Sequence, residues 1–98
     1  ITDGPFMYRT KSGELLMIWS SIADDKYVEA VSWSENGIFG PWKHYDELLY
    51  KEDGGHGMIF KDLNGELRLT LHCPNISLEE HPVFFRLVET ENSVKIKD

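Results

Sequence analysis

The chain has 98 residues, enough for one small domain, and its 41% hydrophobic and 28% charged residues are typical of a folded globular protein. Its net charge of −7, with no cluster of lysine and arginine, argues against nucleic-acid binding, because an acidic protein repels phosphate backbones. The single cysteine, Cys73, excludes an internal disulfide, and no apolar run approaches the ~18 residues that a membrane span needs.

Short strands are predicted along the whole chain, because apolar residues alternate or run continuously between turn signals. Tight turns are predicted at Ser12-Gly13, Asn36-Gly37 and Asn64-Gly65. Asp46–Tyr50 is predicted to form a single helical turn or a short strand. The fold class is therefore all-β, with strands, in chain order, at Phe6–Arg9, Leu15–Ser21, Tyr27–Ser34, Met58–Lys61, Glu66–Leu71, Val83–Glu89 and Val94–Lys97.

An internal repeat organises these strands. A shift of 52 residues aligns Phe6-Met7-Tyr8-Arg9 with Met58-Ile59-Phe60-Lys61, and Ser12-Gly13-Glu14-Leu15 with Asn64-Gly65-Glu66-Leu67. Two repeats of about fifty residues, each with three or four short strands, are typical of β-propeller blades. We therefore divide residues 1–98, a single fragment, into a first blade-like repeat, 1–53, and a second, 54–98.

Three short motifs resemble glycoside hydrolase family 43, in the order expected for that family's fourth and fifth blades. They are Thr2-Asp3-Gly4-Pro5-Phe6-Met7-Tyr8, Gly40-Pro41-Trp42 and Gly55-His56-Gly57. The resemblance implies a five-bladed β-propeller, of which this chain is the C-terminal portion with about two four-stranded antiparallel blades. Because the chain begins with Ile1, we expect a fragment of a longer parent protein, which is secreted or periplasmic.

The resemblance also implies a chemistry, the inverting hydrolysis of polysaccharides that contain arabinose or xylose. Inversion requires two carboxyl groups roughly 6.5–9.5 Å apart, with a water molecule opposite the leaving group. The family's general acid lies in a Glu-Gly-Pro motif, and Asp3-Gly4-Pro5 stands in its place here. Asp3 thus has the general-acid position with a side chain one methylene shorter, whereas an Asp-Gly turn without catalytic meaning is the alternative.

Two histidines are further candidates for the site. The resemblance gives His56 an axial position, where it points toward a calcium ion or a water cluster on the propeller axis. Calcium prefers oxygen ligands, so a metal there would be bound through water for the most part. His72 is a candidate substrate-binding residue at a strand end. Trp19, Trp33 and Trp42 are expected in the core rather than on a sugar.

Three functions remain open on the sequence alone. The first is a portion of a family 43-like glycoside hydrolase that binds carbohydrate and is inactive as an isolated chain, because two of the three family carboxylates are missing. The second is a non-catalytic carbohydrate-binding or structural propeller module, which the presence of Asp3 in place of the family's Glu leaves open. The third, a small β-sandwich with an unrelated binding role, is disfavoured by the repeat.

Self-association is also expected, because a two-blade unit leaves open blade faces that exposed apolar residues would occupy. A homo-oligomer formed through these faces would cover them, and the candidates for exposure are Leu16, Ile18, Phe84 and Phe85.

Overall fold

The structure is a computed structural model that describes residues 2–97 of the chain. It contains two four-stranded antiparallel sheets, and no helix occurs among these residues. Because there is no helix in this range, none is long and apolar enough to cross a membrane. The all-β prediction with two blade-like sheets is confirmed.

Each sheet uses its strands in chain order, so neighbouring strands are joined by hairpins or short connections. The first sheet contains β1 (Asp3–Arg9), β2 (Leu15–Ala23), β3 (Lys26–Ser34) and β4 (Trp42–His44). The second sheet contains β5 (Gly55–Lys61), β6 (Leu67–Cys73), β7 (His81–Glu89) and β8 (Val94–Lys97). No strand crosses from one repeat to the other in the described chain.

The first hairpin of each sheet has the same hydrogen bonds, as the repeat predicts. The Gly13 amide donates to the Thr10 carbonyl at 3.0 Å, and the Gly65 amide donates to the Asp62 carbonyl at 2.9 Å. Both glycines have positive φ, 94° for Gly13 and 79° for Gly65, a conformation that favours glycine. The sequence signals at these turns therefore reflect backbone geometry.

The joint core lies between the two sheets. The strand β5 contacts β1, β2 and β3 across this interface. Leu16, Ile18 and Leu69 are fully buried there. Further core residues from both sheets are Val31, Leu49, Ile59, Leu71, Leu87 and Val94.

Expectations about individual residues and segments are corrected by the structure. Leu16 and Ile18 were candidates for exposure, but both lie in the joint core because their side of β2 faces the second sheet. Asp46–Tyr50 forms neither a helical turn nor a strand. The amide of Leu49 and the carbonyl of Tyr50 bond to the Glu29 backbone, which leaves only an isolated bridge.

The fourth strand of the first sheet, Trp42–His44, was absent from the sequence-based prediction. It spans three residues, too few to show an alternating pattern, and it begins directly after Gly40-Pro41. Of the two phenylalanines expected on an open face, Phe84 is exposed, whereas Phe85 packs against the joint core.

Candidate functional site

Two equivalent β-bulges bring the candidate residues together where the two sheets meet. The pairing of β1 with β2 shifts register between Asp3 and Phe6, and that of β5 with β6 shifts between Gly55 and Met58. Within these bulges Gly4 has φ 52°, and His56, 52 residues later, has φ 56°. Positive φ is uncommon for a residue other than glycine, and such strain is concentrated at functional sites.

Asp3 presents an exposed carboxylate at the start of β1. The Tyr27 hydroxyl donates to Asp3 Oδ2 at 2.7 Å. This hydrogen bond has the largest effect and lowers the pKa of Asp3. Desolvation raises that pKa by less, and the nearby rings of His56 and His72 lower it further. A general acid needs a raised pKa, so Asp3 in these surroundings is an ionised hydrogen-bond acceptor.

Tyr27 is itself held by Asp53, which lies in the segment between the two sheets. Its backbone amide donates to Asp53 Oδ1 at 3.0 Å, and the Asn75 amide donates to Asp53 Oδ2 at 3.2 Å. One carboxylate in the segment between the sheets thus connects the start of β3 to the connection that follows β6. Desolvation raises the pKa of Tyr27, so its hydroxyl remains a proton donor toward Asp3.

The His56 ring lies against the turn that carries Asp3. A Cβ atom added to Gly4 would be 3.0 Å from the ring carbons of His56, so only glycine leaves room for this contact. The His56 amide donates to Ser20 Oγ at 2.6 Å, which anchors its left-handed backbone to β2. The structure therefore brings Asp3 and His56, predicted from separate motifs, to one place.

His72 joins the same cluster from β6. Its ring centroid is 5.6 Å from that of Tyr27 and 6.2 Å from that of His56. Its Nδ1 atom is buried and has no hydrogen-bond partner among residues 2–97. A buried ring nitrogen of this kind requires a water molecule or a ligand to satisfy it.

Glu29 is the residue that sequence reasoning missed. It is fully buried in β3, where Ser20 Oγ donates to its Oε1 at 2.7 Å and the Gly57 amide donates to its Oε2 at 3.2 Å. Desolvation raises its pKa to about 7, although these donors oppose the shift. The available signal was one acidic residue in the otherwise apolar run Tyr27–Val31.

The glycines around His56 are explained by these polar side chains. A Cβ atom on Gly55 would lie 2.7 Å from the Tyr27 ring and 2.9 Å from Ser20 Oγ, and one on Gly57 would lie 2.9 Å from Glu29 Oε2. Real Cβ atoms do not approach so closely, so both positions need glycine for the second sheet to lie this near the first. The motif thus fixes the distance between the sheets at the site.

A cavity of about 380 Å³ opens on the other side of Asp3, away from the second sheet. Its lining includes Met17, Trp19 and His44. The Trp19 Nε1–H donates to Ser32 Oγ at 2.8 Å, and this hydroxyl also bonds His44 Nδ1 at 2.5 Å. Trp19 was expected in the core, but its side chain is only partly buried among the described residues.

The described residues do not fit a calcium site by themselves. Calcium takes six to eight oxygen ligands, and no group of three or more His, Cys, Asp or Glu side chains is arranged to hold a metal ion within residues 2–97. Asp62, one of the carboxylates outside the family motifs, instead forms an ion pair with Arg68 at 2.8 Å. The site therefore offers one exposed carboxylate, two histidines and one buried carboxyl group.

No protein-family profile matches the chain, and no curated protein matches it either. A similar solved structure is that of an endo-arabinase from Bacteroides thetaiotaomicron VPI-5482, which is 43% identical in sequence with a TM-score of 0.88. The match covers 95% of this chain and 34% of the endo-arabinase chain. This chain thus spans about a third of that protein's length.

Proposed function

We propose that this chain is part of a glycoside hydrolase of the family 43 type that acts on arabinose-containing polysaccharides with inversion. The observation that carries the proposal is the convergence of four side chains around two equivalent bulges: Asp3 and His56 within them, and Tyr27 and His72 from neighbouring strands. The 43% identity to an endo-arabinase over 95% of the chain supports the same substrate class. Residues 1–53 and 54–98 are then two blades of a five-bladed ring.

In this function Asp3 has the position of the general acid, which protonates the leaving-group oxygen. Such assistance contributes about 10²–10⁴-fold to the rate. The pKa of Asp3 is lowered in these surroundings, first by the Tyr27 hydroxyl. Working acid chemistry therefore requires a further carboxylate from outside residues 2–97, whose negative charge would raise this pKa.

The two histidines have different parts in the proposal. His56 supports the turn that carries Asp3 through the contact of its ring with Gly4. His72, whose Nδ1 is buried without a partner among residues 2–97, binds a substrate hydroxyl or a water molecule. Calcium beside His56 would need its oxygen ligands from outside the described residues, and we derive no catalytic step through it.

A second function, non-catalytic carbohydrate binding, is favoured by one specific observation. The Asp3 carboxylate is exposed and has a lowered pKa, so it is well suited to accept hydrogen bonds from sugar hydroxyls. Trp19 in the adjacent cavity offers an aromatic surface of the kind on which sugar rings stack. In this alternative Asp3 binds sugar and transfers no proton.

A chimeric enzyme separates the two functions. The matching third of the Bacteroides thetaiotaomicron endo-arabinase is replaced by this chain, and hydrolysis of linear arabinan is measured. We expect activity in the chimera, a loss of about 10²-fold or more in kcat with Asp3→Asn, and substantial activity with Asp3→Glu. The matched control Asp24→Asn changes a turn carboxylate and should leave kcat unchanged.

The outcomes are distinct. An active chimera in which Asp3→Asn raises KM but keeps kcat would show that Asp3 binds sugar without acting as an acid. A folded chimera with no hydrolysis, together with arabino-oligosaccharide binding to the isolated chain by calorimetry, would support the non-catalytic function.

A further inference from the structure

Glu29 lies next to the candidate site but has no part in the proposed chemistry. It is fully buried in β3, between the buried apolar residues Val28 and Ala30. Desolvation raises its pKa to about 7, so near neutral pH the buried carboxyl group lowers the stability of the fold. An apolar side chain of similar size would carry no such penalty. Stability therefore does not explain a carboxyl group at this position.

Strand pairing places Glu29 in one row with Asp3. Asp3 is the partner of Ser20 across β1 and β2, and Ser20 is the partner of Glu29 across β2 and β3. On the other edge of β3 the Glu29 amide donates to the Tyr50 carbonyl at 2.9 Å, and the Leu49 amide donates to the Glu29 carbonyl at 2.9 Å. The backbone of Glu29 is thus fixed on both sides, which gives its side chain a rigid base.

Both carboxyl oxygens of Glu29 hold the bulge at His56. Ser20 Oγ donates to Glu29 Oε1 at 2.7 Å and itself accepts the His56 amide at 2.6 Å. The Gly57 amide donates to Glu29 Oε2 at 3.2 Å. The equivalent residue of the first bulge is Gly4, which tolerates positive φ, whereas His56 has φ 56° and is strained. The contacts of Glu29 and Ser20 therefore hold a strained backbone that the first bulge does not have.

The His56 ring connects this arrangement to Asp3. The ring lies so close to Gly4 that a Cβ atom added there would be 3.0 Å from two of the ring carbons. Asp3 immediately precedes Gly4, so the place of its carboxylate depends on the place of the ring. The path from Glu29 to Asp3 thus runs through the His56 bulge.

We propose that Glu29 is a positioning residue for glycosidic-bond hydrolysis by the parent enzyme, and that it acts through the His56 bulge to place the Asp3 carboxyl group. The inference rests on the proposed function for the identity of the reaction. Glu29 is fully buried, so it does not touch substrate and is not a catalytic residue. A displacement of about 1 Å caused by a remote change can cost about 10²-fold in rate. Loss of the acceptor oxygens of Glu29 should therefore slow the reaction although Asp3 is intact.

Variants of the chimera with the endo-arabinase test this role. Glu29→Met removes both acceptor oxygens at similar side-chain length, Glu29→Gln keeps one of them for Ser20, and Ser20→Ala removes the acceptor of the His56 amide. We expect Glu29→Met and Ser20→Ala to lower kcat on linear arabinan by about 10- to 10²-fold with KM unchanged, and Glu29→Gln to retain most of the activity. The matched control Glu89→Gln changes a carboxylate that accepts hydrogen bonds across the sheets near the end of β1, and it should leave kcat unchanged.

Two further comparisons distinguish positioning of Asp3 from a general loss of structure. An activated aryl leaving group departs without a proton, so Glu29→Met should lose little activity on an arabino-oligosaccharide that carries one. In the Asp3→Asn chimera, Ser20→Ala should have little further effect on kcat, because the effects of residues that act as a unit are not additive. Equal losses on both substrates, or a full further loss in the Asp3→Asn chimera, would overturn the inference and leave the proposed function standing.

A structural readout on the 98-residue chain does not depend on activity. The native chain should show a nuclear Overhauser contact between the His56 ring protons and the Gly4 α protons. Glu29→Gln and Glu89→Gln should keep this contact, whereas Glu29→Met and Ser20→Ala should lose it while circular dichroism shows that they fold. A contact unchanged in both of the latter variants would overturn the positioning role, whether or not the chimera hydrolyses arabinan. If Glu29→Met does not fold, Ser20→Ala decides the question alone.

Discussion

The buried carboxyl group of Glu29 should make the stability of this chain depend on pH in an unusual direction. Glu29 is fully buried and receives hydrogen bonds from Ser20 and the Gly57 amide. Burial raises its pKa from 4.5 to about 7, so the folded state disfavours ionisation that the unfolded chain permits. The test is replacement of Glu29 by glutamine, which has the same shape and no charge.

The sign and size of the effect follow from the linkage between protonation and folding. Well below pH 4.5 the Glu29 carboxyl group is neutral in both the folded and the unfolded state, so its titration does not change the free energy of unfolding. As the pH rises from 4.5 to about 7 the unfolded state releases its proton first, so the free energy of unfolding falls. Each pKa unit corresponds to about 1.4 kcal/mol, so the full loss is about 3 kcal/mol and is complete above neutral pH.

Urea denaturation of the native chain and Glu29→Gln across this pH range measures the effect. Because other groups titrate as well, the quantity of interest is the difference between the two proteins at each pH. The free energy of unfolding of Glu29→Gln, relative to that of the native chain, should increase by about 3 kcal/mol between acid and neutral pH. A difference that does not vary with pH would refute the reasoning. Glu91→Gln, at an exposed carboxylate, is the control and should track the native chain.

Three further predictions concern the interface and the isolated chain. Gly57→Ala should destabilise the fold by about 1–3 kcal/mol in urea denaturation, since its Cβ would lie 2.9 Å from Glu29 Oε2. Glu89→Ala should lower the thermal midpoint by about 5 °C, because Glu89 accepts hydrogen bonds from the Tyr8 hydroxyl and the Lys11 amide across the sheets. The isolated chain should not hydrolyse aryl arabinosides or xylosides above the buffer rate, since inversion needs two carboxyl groups and its described site offers one exposed carboxylate, Asp3.

A specific result would contradict each of these three predictions. The double variant Gly57→Ala/Glu29→Ala should lose less free energy of unfolding than the sum of the losses in the two single variants. Strictly additive losses would show that the methyl group added at Gly57 and the Glu29 carboxyl group do not collide. Glu89→Ala should lower the thermal midpoint more than Glu91→Ala does. Equal midpoints would mean that the hydrogen bonds of Glu89 to the other sheet contribute nothing to stability. Saturable turnover by the purified chain that disappears with Asp3→Ala would contradict the inactivity.

The internal repeat made most of the fold predictable, because turn geometry leaves clear residue signals. Gly13 and Gly65 are needed at positive φ, so both hairpins were visible in the sequence. Trp42–His44 was missed because three residues carry no detectable period. The burial of Leu16 and Ile18 was misjudged because both faces of β2 are apolar, and alternation cannot say which face meets the second sheet.

The candidate site was only partly predictable. Asp3 and His56 lie in motifs, and the structure brings them together on equivalent bulges. Glu29 lies in no motif, and its importance comes from Ser20 and Gly57, which are distant in sequence. The lowered pKa of Asp3 also depends first on a hydrogen bond from Tyr27, a contact between strands that no local pattern encodes.

The central proposal, that Asp3 has the general-acid position in an arabinan-hydrolysing parent enzyme, is tested most directly by the dependence of rate on the leaving group. In the chimera with the endo-arabinase, Asp3→Asn is assayed on arabinan and on an arabino-oligosaccharide with an activated aryl leaving group. An activated leaving group departs without a proton. The variant should therefore lose about 10²-fold or more on arabinan and little on the aryl substrate. Equal losses on both substrates would contradict the claim.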